Sequence, residues 1–158
     1  MRPFKCLARQ RRQFLITTLY FLIFDRSLHS SGSLEISKSC SEGDVITLSG
    51  PLGVGKTTFA KFIIRYLVNE YIEVTSPTYN IIQSYRSFDD TEILHMDFYR
   101  LNNKINIYDL DIIESFEKSI SIIEWPEKLI EIIPEKRLDI KFNFVDNDDN
   151  LREIILIN

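Results

Sequence analysis

Cysteine is nearly absent from this chain: only Cys6 and Cys40 occur in 158 residues. They form no metal-ligand spacing, and two cysteines do not make a disulfide framework, so a reducing cytosol is the expected setting. Tryptophan occurs once, as Trp125. A lone tryptophan is read as packing rather than as a base-stacking platform. Long apolar runs are missing as well. The longest, Phe14 to Phe24, holds eleven apolar-leaning residues, too few to span a bilayer. Basic charge is scarce where it would matter for nucleic acid. Met1 to Ser33 carries six Lys/Arg against one acid, a net +5, which leaves −9 on the other 125 residues of a chain whose total is −4. A domain that acidic makes a poor phosphate-backbone binder by itself.

At 44% hydrophobic residues, the composition supports one compact core, and the length is too short for two ordinary domains. Residues 1–33 stand apart: a basic start, the short apolar run and a Ser/Gly-rich end resemble a leader peptide. A secretory signal or anchor lacks its A-x-A-like cleavage site, and an Arg- and Ser-rich transit peptide is the second option. The favoured reading is a non-native segment, from a misplaced start or a shifted frame, or one that stays disordered. The domain is expected over 34–158.

From Gly43 onward the pattern is regular. "DVITLSG" (Asp44 to Gly50) reads as a short buried strand, and "KTTFAKFIIRYLVNE" (Lys56 to Glu70) as a helix with Phe59, Phe62, Ile63, Tyr66 and Leu67 on one face. "EVTSPTYNIIQSYRS" gives a loop and then an alternating strand, "FDDT" a turn, and "EILHMD" a strand ending in Asp97. "INIYDLDIIESFEK" suggests one helix or two short ones. "SISIIE" is a buried strand ending in Glu124, followed by a short helix after Pro126 that Pro134 closes. "RLDIKFNFVDNDDNLREIILIN" alternates on both sides of a polar turn, as a β-hairpin does. Together these elements predict an α/β domain of three layers with a mixed central sheet and an antiparallel C-terminal hairpin.

Chemistry concentrates in "GPLGVGKT", Gly50 to Thr57, a full G-x-x-x-x-G-K-(S/T) between a strand and a helix. Its glycines permit positive φ and remove side chains, so successive N–H groups converge on a phosphate. The helix N-terminus adds its dipole, Lys56 a point charge for the β- and γ-phosphates, and the Thr57 hydroxyl an oxygen for Mg²⁺. A nucleotide-bound Mg²⁺ also takes one or two carboxylates at strand ends beside the loop, and Asp97 and Glu124 are the two candidates. Without the loop, each would be read as an exposed strand-end charge or a helix cap. "VTSPTY" (Val74 to Tyr79) is either a plain turn or a loop that closes over the γ-phosphate.

Two near matches fail on one residue each. "NKIN" (Asn103 to Asn106) lacks the aspartate that accepts both guanine N–H donors, so adenine is favoured. "DNDDN" (Asp146 to Asn150) has Leu151 where a calcium loop needs glycine, and is read as a hairpin turn.

Four segments in this order, "GDVITLSGPLGVGKTTF", "VTSPTY", "HMDFYRL" and "IIEWPEK", make the chain from about Gly43 to Pro134 resemble the TsaE family. These are small P-loop ATPases of the bacterial machinery that installs threonylcarbamoyl on tRNA adenosine. The resemblance implies that Gly53, Val54, Gly55, Lys56, Thr57 and Thr58 wrap the ATP phosphates and that Thr57 and Glu124 coordinate Mg²⁺. It further implies that Asp97, Glu124 and Thr78 serve hydrolysis. By the same resemblance the protein is a weak, partner-stimulated cytoplasmic ATPase. It would bind the TsaB and TsaD proteins and reset their complex, meet tRNA only through that complex, need no membrane, and not itself transfer the carbamoyl group. The N-terminal segment departs from the family pattern, in which a strand and a polar amphipathic helix lead into "GD". Two other readings of the motifs stand beside this one: a small P-loop kinase, for which the single Arg100 between Asp97 and Glu124 is a poor complement of arginines, and a non-catalytic nucleotide-gated binding module.

Overall fold

The computed structural model describes residues 17–22, 36–101 and 112–157. Seven strands form one sheet in the order β1-β7-β6-β2-β5-β4-β3. They are β1 (Thr17–Leu22), β2 (Val45–Ser49), β3 (Ile82–Arg86), β4 (Glu92–Asp97), β5 (Ser119–Glu124), β6 (Leu138–Val145) and β7 (Asp148–Ile157). Among the described residues the helices are α1 (Lys56–Leu67) and α2 (Ile112–Lys118), with a 3-10 turn at Pro126–Lys128 and a helical stretch at 36–39.

The central strands β6, β2, β5 and β4 are mutually parallel, whereas β3, β7 and β1 join antiparallel. The sheet is therefore mixed, and β6 and β7 are the hairpin. Its tight turn falls at Asp146 and Asn147, where Asn147 takes φ 65°. β1 lies inside the segment set apart by its sequence and pairs along Leu151 to Leu156 of β7.

Parallel strands are covered on both faces, so they read as near-continuous apolar runs, and two separate cores result. On one face Ile46, Leu48, Ile93, Ile120 and Ile122 pack with Phe59, Ile63 and Ile64 of α1. On the other, Val45, Leu94, Met96 and Ile123 pack with Ile112 and Phe116 of α2 and with Leu129 and Ile133. This is the expected three-layer α/β arrangement.

Three local expectations are corrected. The buried stripe of α1 is Phe59, Ala60, Ile63 and Ile64, and Tyr66 is 42% exposed, because the sheet lies on the side of Ala60 and Ile64. The same helix stops at Leu67 rather than Glu70: Val68 N–H closes on Ile64 O, and Asn69 Oδ1 accepts from Tyr71 N–H and turns the chain away. The short helix after Pro126 is a single 3-10 turn. The helical expectation for Ile105 to Asp111 lies outside the described residues.

Candidate functional site

β2 runs into the loop at Gly50, between its parallel neighbours β5 and β6. Gly50, Gly53 and Gly55 all have positive φ, at 136°, 76° and 109°. At Gly50 space is also lacking, since a Cβ would strike the Phe142 carbonyl oxygen of β6 and sit 3.1 Å from Phe142 Cβ. A Cβ on Gly53 would meet nothing within 4 Å, so the tip of the loop is open. Gly55 is the left-handed residue from which α1 starts. Lys56, 4% exposed, donates from Nζ to Gly50 O and Pro51 O, both at 2.8 Å, and its ammonium stands 3.9 Å from the Trp125 ring centroid. Burial holds that ammonium below its ordinary pKa, while the carboxylates of Glu124, Glu127 and Asp97 pull it the other way.

The strand period of two decides what faces this loop. Ile93, His95 and Asp97 share one face of β4, and Ile120, Ile122 and Glu124 share one face of β5, the face covered by α1. Asp97 and Glu124 are direct register partners, and Glu124 is also paired with Leu48 beside the loop. Both carboxylates are buried, at 4% and 2% exposure. Each is satisfied by a hydroxyl from another element: Thr57 Oγ1 donates to Glu124 Oε2 at 2.7 Å, and Thr78 Oγ1 donates to Asp97 Oδ2 at 2.6 Å. Tyr99 N–H donates to the other Asp97 oxygen at 2.9 Å, and Ser76 Oγ lies 2.7 Å from the Thr78 hydroxyl. Val74 to Tyr79 is thus tied to the site through Thr78.

Trp125 leaves the sheet abruptly. It takes φ 58°, its N–H reaches Leu48 O at 3.2 Å, and its ring lies 4.9 Å from that of Tyr99. Arg100 turns outward over the exposed Tyr79 ring, 4.3 Å from its centroid. Gly53, Val54, Gly55, Lys56, Thr57, Thr58, Asp97, Glu124 and Thr78 all belong to this loop and the chain around it. Val54 is fully buried and serves as the loop's apolar anchor.

Two residues beyond the sequence expectations join the site. His95 Nε2 lies 2.9 Å from Glu124 Oε1. Arg152, 7% exposed on β7, donates from Nε to Val54 O at 3.2 Å and packs on the Phe144 ring. A signal existed for each: His95 is two residues before Asp97, and Arg152 is in phase with the buried Ile154 and Leu156.

The donor set fits a nucleotide carrying a cation. The loop tip has room, Lys56 and the α1 N-terminus supply positive potential, and a hydroxyl and a carboxylate meet at its edge. Among the described residues no group of three or more His, Cys, Asp or Glu could hold a metal. A cation here would draw part of its oxygen shell from the bound phosphates. Among the described residues, also, no helix is long and apolar enough to cross a membrane.

A phosphate loop between a central parallel strand and its helix, flanked by carboxylates at neighbouring strand ends, defines a P-loop NTPase-like protein. The family model for the threonylcarbamoyl adenosine biosynthesis protein TsaE matches residues 28–154. The chain belongs to the TsaE family, which acts in tRNA threonylcarbamoyladenosine biosynthesis. It is 35% identical over 111 residues to the TsaE protein of Rickettsia bellii, covering 70% of this chain and 76% of that one. It is 38% identical over 113 residues to the TsaE protein of Bacillus subtilis, covering 71% and 68%. The crystal structure of Bacillus subtilis YdiB superposes with a TM-score of 0.66 at 26% identity, over 92% of this chain and 87% of that one.

Proposed function

We propose that the chain binds ATP with Mg²⁺ at Gly50 to Thr58 and hydrolyses it, and that hydrolysis resets a complex of the TsaB and TsaD proteins during tRNA modification. The observation that carries this reading is the Thr57–Glu124 hydrogen bond at the mouth of the loop, with Asp97 paired to Glu124 across β4 and β5. Two buried carboxylates side by side, next to a cationic loop, suit a cation and a water better than they suit a sheet edge.

Gly53 to Thr58 hold the phosphates through backbone N–H groups, and Lys56 leaves the carbonyls of Gly50 and Pro51 to meet them. Thr57 and Glu124 hold the Mg²⁺, which when bound neutralises phosphate charge. Asp97, kept in place by Thr78 and Tyr99 N–H, accepts a hydrogen bond from the attacking water and orients it. The activity is weak alone and rises with the partners, and the chain does not transfer the carbamoyl group. It works in the cytoplasm, needs no membrane, and reaches tRNA only through the partner complex.

Phosphate release from ATP is the test. Lys56→Ala and Glu124→Ala are expected to abolish Mg²⁺-dependent release while far-UV circular dichroism stays native. Full turnover by either purified variant would sink the assignment.

A further inference from the structure

His95 lies fully buried in β4, with Ile122 as its cross-strand partner. Its Nδ1 is the one buried side-chain nitrogen or oxygen among the described residues without a hydrogen-bond partner. An unsatisfied buried polar atom costs about 1–3 kcal/mol. Sheet packing gives no reason to retain it, because an aliphatic side chain would fill the position without that cost. The other ring nitrogen supplies the reason, since Nε2 lies 2.9 Å from Glu124 Oε1.

The direction of that hydrogen bond follows from the orphan. A buried N–H without a partner is rarer than an under-satisfied acceptor, so the proton belongs on Nε2 and Nδ1 keeps only a lone pair. Glu124 then accepts at both oxygens, from Thr57 Oγ1 at Oε2 and from His95 Nε2 at Oε1. Two donors on separate oxygens fix the rotation of a carboxylate that is 2% exposed.

We propose that His95 is a positioning residue for the metal site: by donating from Nε2 to Glu124 Oε1 it sets the orientation in which Glu124 and Thr57 together meet Mg²⁺. The inference rests on Glu124 and Thr57 being the Mg²⁺ ligands. Its signature is selective. Losing His95 weakens the contribution of Mg²⁺ to nucleotide binding and leaves metal-free binding, which rests on the loop N–H groups and Lys56, unchanged.

The full chain is titrated calorimetrically with AMP-PNP in excess Mg²⁺ and again in EDTA. Wild type is expected to bind more tightly with Mg²⁺. His95→Leu should lose roughly 10- to 100-fold of that gain, the range for partners of metal-binding side chains, with its affinity in EDTA unchanged. His95→Gln, whose amide nitrogen stands near the Nε2 position, should recover most of it. A wild type with no Mg²⁺ gain overturns the metal-site reading and this inference with it. A wild-type gain that His95→Leu retains overturns the role of His95 alone. The native protein supplies a second measurement that needs no variant to fold. The chain has two histidines, so ¹⁵N-histidine spectra resolve both rings: a proton on His95 Nε2 supports the proposal, and a bare Nε2 overturns it.

Discussion

Gly50→Ala and Gly53→Ala alter two glycines of one loop, and the structure separates them sharply. At Gly53 the added methyl meets nothing within 4 Å, so only the left-handed backbone at φ 76° is penalised, about 1–2 kcal/mol. At Gly50 the same kind of penalty applies at φ 136°, and the methyl also falls nearer to Phe142 O than the 3.0 Å that real Cβ atoms keep. That atom is backbone of the buried strand β6, so β6 or the loop has to shift. Overpacking of this kind adds about 1–3 kcal/mol, for a total of roughly 2–5 kcal/mol. For a domain of this size each kcal/mol moves the melting temperature by about 2–4 °C. Thermal unfolding followed by circular dichroism should therefore fall by roughly 2–8 °C for Gly53→Ala and roughly 4–20 °C for Gly50→Ala, both estimates from that conversion. Equal shifts in the two variants, or a Gly50→Ala protein as stable as wild type, would refute the claim that β6 sits against the loop.

Thr78→Val removes the hydroxyl that holds Asp97, a hydrogen bond to a charged group worth about 1.5–3 kcal/mol. Single-turnover ATP hydrolysis should slow roughly 10- to 100-fold while nucleotide affinity holds. Arg152→Met keeps an apolar stem but withdraws both the guanidinium over Phe144 and the donor from Val54 O. Urea unfolding should show a loss of about 1.5–3 kcal/mol, and nucleotide affinity should fall as well. Burial raises the Tyr85 phenol above its ordinary value of 10.0. The unfolded chain therefore ionises first as pH passes 10.0, and the contribution of Tyr85 to stability is intact below that pH and lost above it. In alkaline unfolding titrations, Tyr85→Phe should show a shallower decline than wild type.

Much of the site was legible because its chemistry follows short-range rules. The loop spacing and the apolar run before each acid were enough to put Asp97 and Glu124 at strand ends beside the loop, and the structure pairs them in register. What stayed hidden depends on neighbours far along the chain. Tyr66 fits the helical stripe as well as Ile64 does, and only the position of the sheet against α1 makes one exposed and the other buried. His95 reads as one polar residue in an apolar strand until β5 brings Glu124 within 2.9 Å. Arg152 looks like an ordinary strand charge, and 98 residues of chain separate it from the carbonyl it reaches. The end of α1 turned on Asn69, whose side chain competes for backbone donors as asparagines do in turns.

The contact of Gly50 with Phe142, and of Val54 with Arg152, also bears on the order in which the protein matures. A growing chain emerges N-terminal end first, so strand, loop and helix are all made long before the hairpin that braces them. Until β6 docks, β2 lacks a neighbour on one side and the loop lacks the carbonyl against which Gly50 lies. The contacts that brace the loop are thus completed late in synthesis. Nascent chains that stop short of the final strand would carry the complete motif in sequence and yet lack the brace that shapes it.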